Sequence, residues 1–226
     1  MLSTILFDWD DTLADTFPAR ERAVQATFDA VGVTDISGRD FLLTTIGSQL
    51  QVELQRFCEK RGIKDDLPTL QRRFYWRDYA GLVTAYPGVS EMLRELRRRG
   101  YKLGVVTHKI RERMLEGMHT GLVREVDDLG WRGLFDVLIG MEDMPRLKPD
   151  PGGILNALAR LRLVPSQALY IGDSASDMQA AFAAPCDFIL AAWGAYKPVE
   201  TPPGGKPLLI AQTPQDVVRL LAGSRP

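Results

Sequence analysis

The chain has 226 residues, 28 of them Lys or Arg against 29 Asp or Glu, which gives a formal charge of −1. Apolar residues make up 45% and charged residues 25%, an ordinary globular balance that suits one α/β domain or a core domain carrying a smaller lobe. Near-zero charge argues against nucleic acid as a partner, no uncharged run approaches the roughly 18 apolar residues of a membrane span, and Cys58 and Cys186 suggest neither a zinc knuckle nor a disulfide framework. The opening MLSTILFDWDD reaches three acids by position 11, which no secretory signal tolerates, so the expected location is the cytoplasm.

In chain order, Ile5-Leu6-Phe7 is the first short apolar run. Residues 16–83 then lack a convincing strand and read as several helices. Val24, Phe28 and Val31 precede Gly32; Leu50, Leu54, Phe57 and Cys58 precede Gly62; Leu67, Leu70 and Phe74 lie beside a stripe of Tyr75, Tyr79 and Leu82. About 70 residues is too long for a strand-to-helix connection, so a separate helical lobe is expected, with Pro87-Gly88 marking the return. Val89, Met92, Leu93 and Leu96 predict a helix ending at Gly100, and 102–106 and 136–139 are further apolar runs. Ile154, Leu155, Leu158 and Leu161 predict the next helix, followed by runs at 168–171 and 187–190 and a Pro/Gly-rich loop at 194–207. Thr213-Pro214-Gln215-Asp216 has the form of a helix start. Continuous rather than alternating apolar runs, separated by helices, predict an α/β fold with a doubly wound, Rossmann-like parallel sheet of five strands.

Four polar signals fall at the C-terminal ends of these runs, where open α/β sheets bind ligands. Asp8 and Asp10 are two apart, so in extended backbone their carboxylates point to one side. Two such acids repel unless a cation relieves them, which suits a metal site or a nucleophile–acid pair; taken alone, the pair also reads as turn or cap residues. Thr107 follows the second run, where a hydroxyl is also an ordinary N-cap. Lys148, before Pro149, reads alone as a solvated loop residue. Ser174 and Asp177 have the spacing of a capping box, but Asp173 directly ends a buried strand, where an uncompensated carboxylate is costly and wants a cation.

Taken together, Asp-x-Asp, Thr, Lys and Asp at successive strand ends resemble the four motifs of the haloacid dehalogenase-like hydrolase superfamily. LFDWDDTLADT looks like the first, VVTHK the second, LKPDP the third and YIGDSASDM the fourth. The helical interval falls where that superfamily inserts its first type of cap, which implies a core of 1–15 with 84–226 and a cap of 16–83. TTIGSQL at 44–50, AYPGV at 85–89 and AAWGAYKP at 191–198 are similar to the phosphoglycolate phosphatase-like branch.

The resemblance implies a phosphatase for a small phosphorylated metabolite. Mg²⁺ would be held by the Asp8 carboxylate, the Asp10 backbone carbonyl and Asp173, with Asp177 supporting it from one layer further out. Asp8 would attack phosphorus, Asp10 would act as acid and then base, and Lys148 and Thr107 would hold the phosphoryl oxygens, helped by backbone N–H groups after Asp8. Thr12 would brace the Asp10 loop. Asp11, where the family commonly has glycine, and His108, beside Thr107, complete the expected substrate-binding set, although a solvent-facing turn is an equal reading of His108. Dehalogenases of the superfamily lack an aspartate at position 10, and phosphonate hydrolases have a small residue there and a cap lysine; this chain has Asp10 and only Lys60 and Lys64 in the cap. A phosphosugar mutase and a non-catalytic phospho-ligand-binding protein are the alternatives. Arg20, Gln49 and Gln51 are candidates for specificity, and equally ordinary surface residues. Residues 116–133 form a longer interval than the branch usually has.

Overall fold

The computed structural model describes residues 1–46, 48–194, 196 and 205–223. The chain divides into two compact units, Met1–Asp15 with Ala85–Pro226, and Thr16–Thr84. It begins with β1 (Thr4–Phe7), buried along its whole length, and the two-residue β2 (Ala14–Asp15).

The helical unit carries α1 (Phe17–Ala30), α2 (Gly38–Thr45), α3 (Leu50–Arg61) and α4 (Leu67–Phe74), then a π-helical turn at Tyr75–Tyr79 and a 3-10 turn at Ala80–Leu82. Its ends follow local chemistry. Asp66 Oδ1 accepts the Thr69 N–H at 3.0 Å to start α4, and Gly62, at φ +65°, closes α3 in the left-handed conformation. The rings of Phe28, Phe41 and Phe57 meet at centroid distances of 5.1 to 5.4 Å and form its core with Leu54 and Leu67. The sequence reading lacked α2, which Ser37 starts by accepting the Asp40 N–H at 3.0 Å. Gly47 of the TTIGSQL segment lies outside the described residues.

After β3 (Thr84–Ala85), the α/β unit continues with α5 (Val89–Arg98), β4 (Lys102–Val106), β5 (Arg113–Leu115), β6 (Met118–Thr120), α6 (Leu122–Asp128) and β7 (Val137–Ile139). It ends with α7 (Gly152–Leu161), β8 (Ala168–Gly172), α8 (Ala175–Ala183), β9 (Asp187–Ala191), β10 (Leu209–Ala211) and α9 (Pro214–Leu220). The main sheet is parallel, in the order β10-β9-β8-β1-β4-β7. It therefore has six strands rather than the expected five. The addition, β10, is a three-residue edge strand whose Ile210 is exposed, so it carries little of the apolar signal of a buried strand.

Leu6, Val106, Ile139, Tyr170, Phe188 and Leu190 form one face of the sheet and pack with Ile154, Ala157, Leu158 and Leu161 of α7 and Met178, Ala180 and Ala181 of α8. The alternate residues Ile5, Phe7, Leu103 and Val105 are also buried, so this sheet is covered on both faces, and α5 packs on β4 and α9. Leu155, counted in the predicted apolar stripe of α7, is exposed instead. The long interval at 116–133 resolves into β6, which pairs antiparallel with β5, followed by α6.

Candidate active site

β1, β4 and β8 end side by side, and the residues that leave them form one cluster. Asp8 follows β1 with its N–H bonded to Ile171 O at 2.9 Å, Thr107 follows β4 with its N–H on Ile139 O at 3.1 Å, and Asp173 follows β8. Strand pairing that continues one residue past the apolar run is what holds Asp8 and Thr107 at the sheet edge. Lys148 comes from the loop between β7 and α7. Its Nζ lies 2.6 Å from Asp8 Oδ1, 2.6 Å from Asp177 Oδ1 and 3.2 Å from the Tyr170 hydroxyl. The solvated-loop reading of Lys148 is therefore overturned: the residue is only 8% exposed. A buried ammonium needs such partners, and Asp177 and Asp8 outweigh the burial to hold Lys148 well above its ordinary pKa.

Asp177 shows that a capping residue can also serve a site. Its backbone N–H bonds Ser174 Oγ at 3.2 Å and its Oδ2 accepts the Ser174 N–H at 3.1 Å, while its Oδ1 faces Lys148. Gly172 makes this approach possible, since a Cβ there would stand 2.5 Å from Asp177 Cγ.

Oxygens of Asp8, Asp173 and Asp177 lie within 4.8 Å of one another, so the three carboxylates could hold a cation. The Asp10 carboxylate is outside this trio, with its Oδ1 3.2 Å from Lys109 Nζ; the resemblance assigned Asp10 to the metal through its backbone carbonyl. Burial is the largest influence on Asp8 and pushes its carboxyl up to about 7, while Lys148 pulls it down and Asp177 adds to the rise. Burial, then Asp177 and Asp11, push Asp173 well above its ordinary range. Among the described residues, Asp173 has a single hydrogen bond, from the Thr12 hydroxyl at 3.2 Å. An acid so poorly compensated beside two others is the donor set a hard divalent cation fits: oxygen ligands with charge to neutralise.

Thr12 ties the Asp10 loop to the end of β8: its hydroxyl donates to Asp173 Oδ1 at 3.2 Å and its N–H bonds Trp9 O at 3.3 Å. In the same turn the Asp11 N–H bonds Ala14 O at 2.9 Å, and Leu13 and Ala14 also direct their N–H groups to Trp9 O. This tight turn puts Asp11 at φ +61°, a left-handed conformation that explains why glycine would be at ease there. Gly194 presses on the same loop, since a Cβ on it would overlap Asp11 O, and Trp193 Nε1 donates to Thr12 O at 2.8 Å. Of the AAWGAYKP segment, residues 195, 197 and 198 lie outside the described residues, as does most of the 194–207 loop.

Thr107 is buried and its Oγ1 accepts the Lys109 N–H at 3.2 Å, so the hydroxyl serves the turn in the manner of a cap. His108 is not a solvent-facing residue: its Nε2 is buried with no hydrogen-bond partner among the described residues, and burial, then Lys148, hold the imidazole down to about 4. In the helical unit, the Arg20 guanidinium lies 5.8 Å from the centre of the Phe17 ring, and Gln51 Nε2 donates to Gln71 Oε1 at 2.7 Å.

The sequence reading missed Tyr170 as a site residue. Its signal was a tyrosine inside a buried strand, whose hydroxyl must find a partner; that oxygen lies 3.0 Å from Val106 O and 3.1 Å from Asp177 Oδ1. Trp9, Lys109 and Glu125 were missed too. Lys109 Nζ lies 2.7 Å from both Glu125 carboxylate oxygens, and Trp9 Nε1 donates to Glu125 Oε2 at 2.6 Å.

Residues 5–191 match the family model described as haloacid dehalogenase-like hydrolase. The chain is 30% identical over 180 residues to the pyrophosphatase PpaX of Listeria monocytogenes serotype 4b, covering 79% of this chain and 78% of that one. It is 30% identical over 187 residues to a phosphoglycolate phosphatase of Pseudomonas savastanoi pv. phaseolicola, covering 80% of this chain and 65% of the other. The crystal structure of a predicted phosphoglycolate phosphatase from Haemophilus somnus 129PT superposes with a TM-score of 0.79 at 25% identity, covering 97% of each chain.

Proposed function

The chain belongs to the haloacid dehalogenase-like hydrolase family and is a phosphatase, and from that premise we propose that it hydrolyses a small phosphomonoester, of the 2-phosphoglycolate class, through an aspartyl-phosphate at Asp8. The observation that carries this reading is the cluster of Asp8 after β1, Asp173 after β8 and Asp177 in α8, with Lys148 bonded to Asp8 and Asp177. Lys148 already pairs with Asp8 and Asp177, Lys109 with Asp10 and Glu125, and Asp173 stands beside Asp8 and Asp177, before any phosphate arrives. A phosphate dianion entering this field needs further positive charge. Mg²⁺ held by the carboxylates of Asp8 and Asp173, the backbone carbonyl of Asp10 and, through its neighbours, Asp177 would supply that charge and polarise the phosphoryl group.

The chain's own residues divide the remaining work. Asp8 attacks phosphorus in line, forming an acyl-phosphate bond as the ester P–O bond breaks. Asp10, as the carboxylic acid, gives its proton to the leaving oxygen. The resulting Asp10 carboxylate then takes a proton from a water molecule, which attacks the aspartyl-phosphate and releases inorganic phosphate with Asp8 restored. Lys148 orients Asp8 and balances the transferring group, with Thr107 and the neutral His108 beside it. Because Asp11 directs its N–H to Ala14, its part in substrate binding would come from its side chain. The helical unit Thr16–Thr84 is the cap in this reading, with Arg20, Gln49 and Gln51 as its candidates for specificity. Inorganic pyrophosphate is the second reading, favoured by the identity to PpaX.

The test is phosphate release with and without Mg²⁺ from 2-phosphoglycolate, pyrophosphate, glycerol phosphate, sugar phosphates and p-nitrophenyl phosphate, for the wild type beside Asp8→Asn. Release that disappears with chelator and with Asp8→Asn supports the reading. Release that persists in Asp8→Asn overturns the covalent route. Turnover of a sugar phosphate only when primed by a bisphosphate would point to a mutase instead.

A further inference from the structure

We infer that Glu125 and Lys109 are a positioning pair that holds the Asp10 carboxylate for its proton transfers, so that α6, in the long interval after the hairpin, belongs to the working parts of the site. This rests on the proposed reading of Asp10 as acid and base. Lys109 Nζ stands 3.2 Å from Asp10 Oδ1 and 2.7 Å from each oxygen of Glu125. Glu125 is 1% exposed, and its Oε2 also accepts Trp9 Nε1 at 2.6 Å. Trp9 is the immediate neighbour of Asp10 in the chain and is fixed by complete burial and by an edge-on contact with Trp131, with ring centroids 5.7 Å apart. The contacts thus leave the Asp10 loop through Trp9, cross to Glu125, and return to the Asp10 side chain through Lys109.

Every member of this circuit is held from behind. The Lys109 N–H bonds Thr107 Oγ1 and its carbonyl accepts the Met141 N–H at 2.9 Å. The start of α6 is tied to the residues just after Lys109, with the Leu122 N–H on Ile110 O at 2.9 Å and the Val123 N–H on Arg111 O at 3.0 Å. Burying a carboxylate is costly without compensation, and Lys109 and Trp9 provide it. A purely structural ion pair would need no second carboxylate; here the same ammonium also reaches Asp10. Glu125 fixes Lys109, a flexible side chain by itself, through both carboxylate oxygens, and a proton donor must stay within hydrogen-bond reach of one oxygen to be effective.

The experiment uses leaving-group dependence, because protonation of the leaving oxygen matters for an alkyl phosphate and little for p-nitrophenyl phosphate, whose leaving phenolate is stable. Glu125→Gln is compared with wild type in kcat/KM for glycerol phosphate and for p-nitrophenyl phosphate. The ratio of alkyl to aryl activity is expected to fall by about 10-fold, part of the 10²–10⁴ that a general acid supplies. A loss that is equal for both substrates, or no loss, overturns the inference. Trp9→Phe removes the indole N–H from Glu125 along with part of the buried ring, and carries the test if Glu125→Gln does not fold; a smaller fall of the same ratio is expected, and an unchanged ratio overturns the inference. Asp10→Asn run alongside separates the two levels. If it leaves the alkyl-to-aryl ratio unchanged, the acid assignment of Asp10 has failed; if it lowers the ratio while Glu125→Gln does not, only the positioning pair has failed.

Discussion

Asp8 and Asp177 share one ammonium: Lys148 Nζ is 2.6 Å from an oxygen of each, although one acid follows β1 and the other belongs to the capping box that starts α8. The shared cation couples the stability of the fold at this point to the charge state of the site.

Lys148→Met should therefore lower both stability and turnover. Removing one partner of a buried charge cluster typically costs about 3–5 kcal/mol, and the loss should sit near the low end at pH 5, where Asp8 takes up a proton and the repulsion eases. Urea denaturation at pH 5 and pH 8 measures this, with turnover expected to fall by at least about 100-fold. A variant as stable as wild type at pH 8 would contradict the shared-cation account.

Asp8→Asn should stabilise the protein in the presence of chelator. With its pKa raised from 3.8 to about 7 in the folded state, Asp8 keeps a proton that the unfolded chain has released, so its contribution to stability is present at low pH and lost as pH rises through about 7. The asparagine variant lacks that loss. It should exceed wild type by about 1–3 kcal/mol at pH 8, with the gap closing toward pH 4. Added Mg²⁺ should stabilise wild type more than the variant. Identical pH dependence in the two proteins would sink this prediction.

Asp11→Gly should be tolerated. At φ +61° glycine relieves the side chain's backbone cost while loosening the unfolded chain, so the two effects offset to within about 1 kcal/mol. A β-branched replacement, Asp11→Val, has no such relief and should destabilise by about 1–3 kcal/mol. Thermal melts of the two variants make the comparison, and a glycine variant less stable than the valine variant would show that the Asp11 side chain matters more than its backbone.

His108 should stay neutral through physiological pH. Burial depresses its pKa to about 4, so the stability linked to its neutral form is complete above pH 6.5 and is lost as pH falls toward 4. The chain has two histidines, so in His119→Gln the remaining imidazole resonance belongs to His108. Followed by NMR in chelator, it should titrate near 4; a midpoint at 6 or above would mean that the ring reaches water.

Much of the sheet was legible because buried parallel strands must be apolar on both faces. Ile5, Phe7, Leu103 and Val105 could be read from composition alone, since alternation is absent where neither side meets water. β10 was not legible: an edge strand of three residues with Ile210 exposed leaves too short and too mixed a pattern. Asp8, Thr107 and Asp173 were legible as candidates because each directly follows an apolar run, whereas Lys148, well past the end of β7, joined them only through the family resemblance. Lys109 and Glu125 were not legible, because an acid and a base 16 positions apart on a loop and a short helix look like any solvated pair until burial is known.

The sequence by itself determined the alternation of the central buried strands with helices, the long helical insertion after β1 and the acids and hydroxyl that directly follow apolar runs, all of which depend on local patterns of a few residues. The tertiary structure alone decided which charges meet. Lys148 and Asp8 are 140 positions apart, Trp9 and Glu125 116, and the parallel order β8-β1-β4-β7, with α6 tied to the residues after β4, closes those distances. The physical reason is that burial and partnership set the behaviour of a charge, and both belong to the folded arrangement rather than to the residue. Asp177 is a helix cap by its local sequence and a partner of Lys148 by its place in the fold.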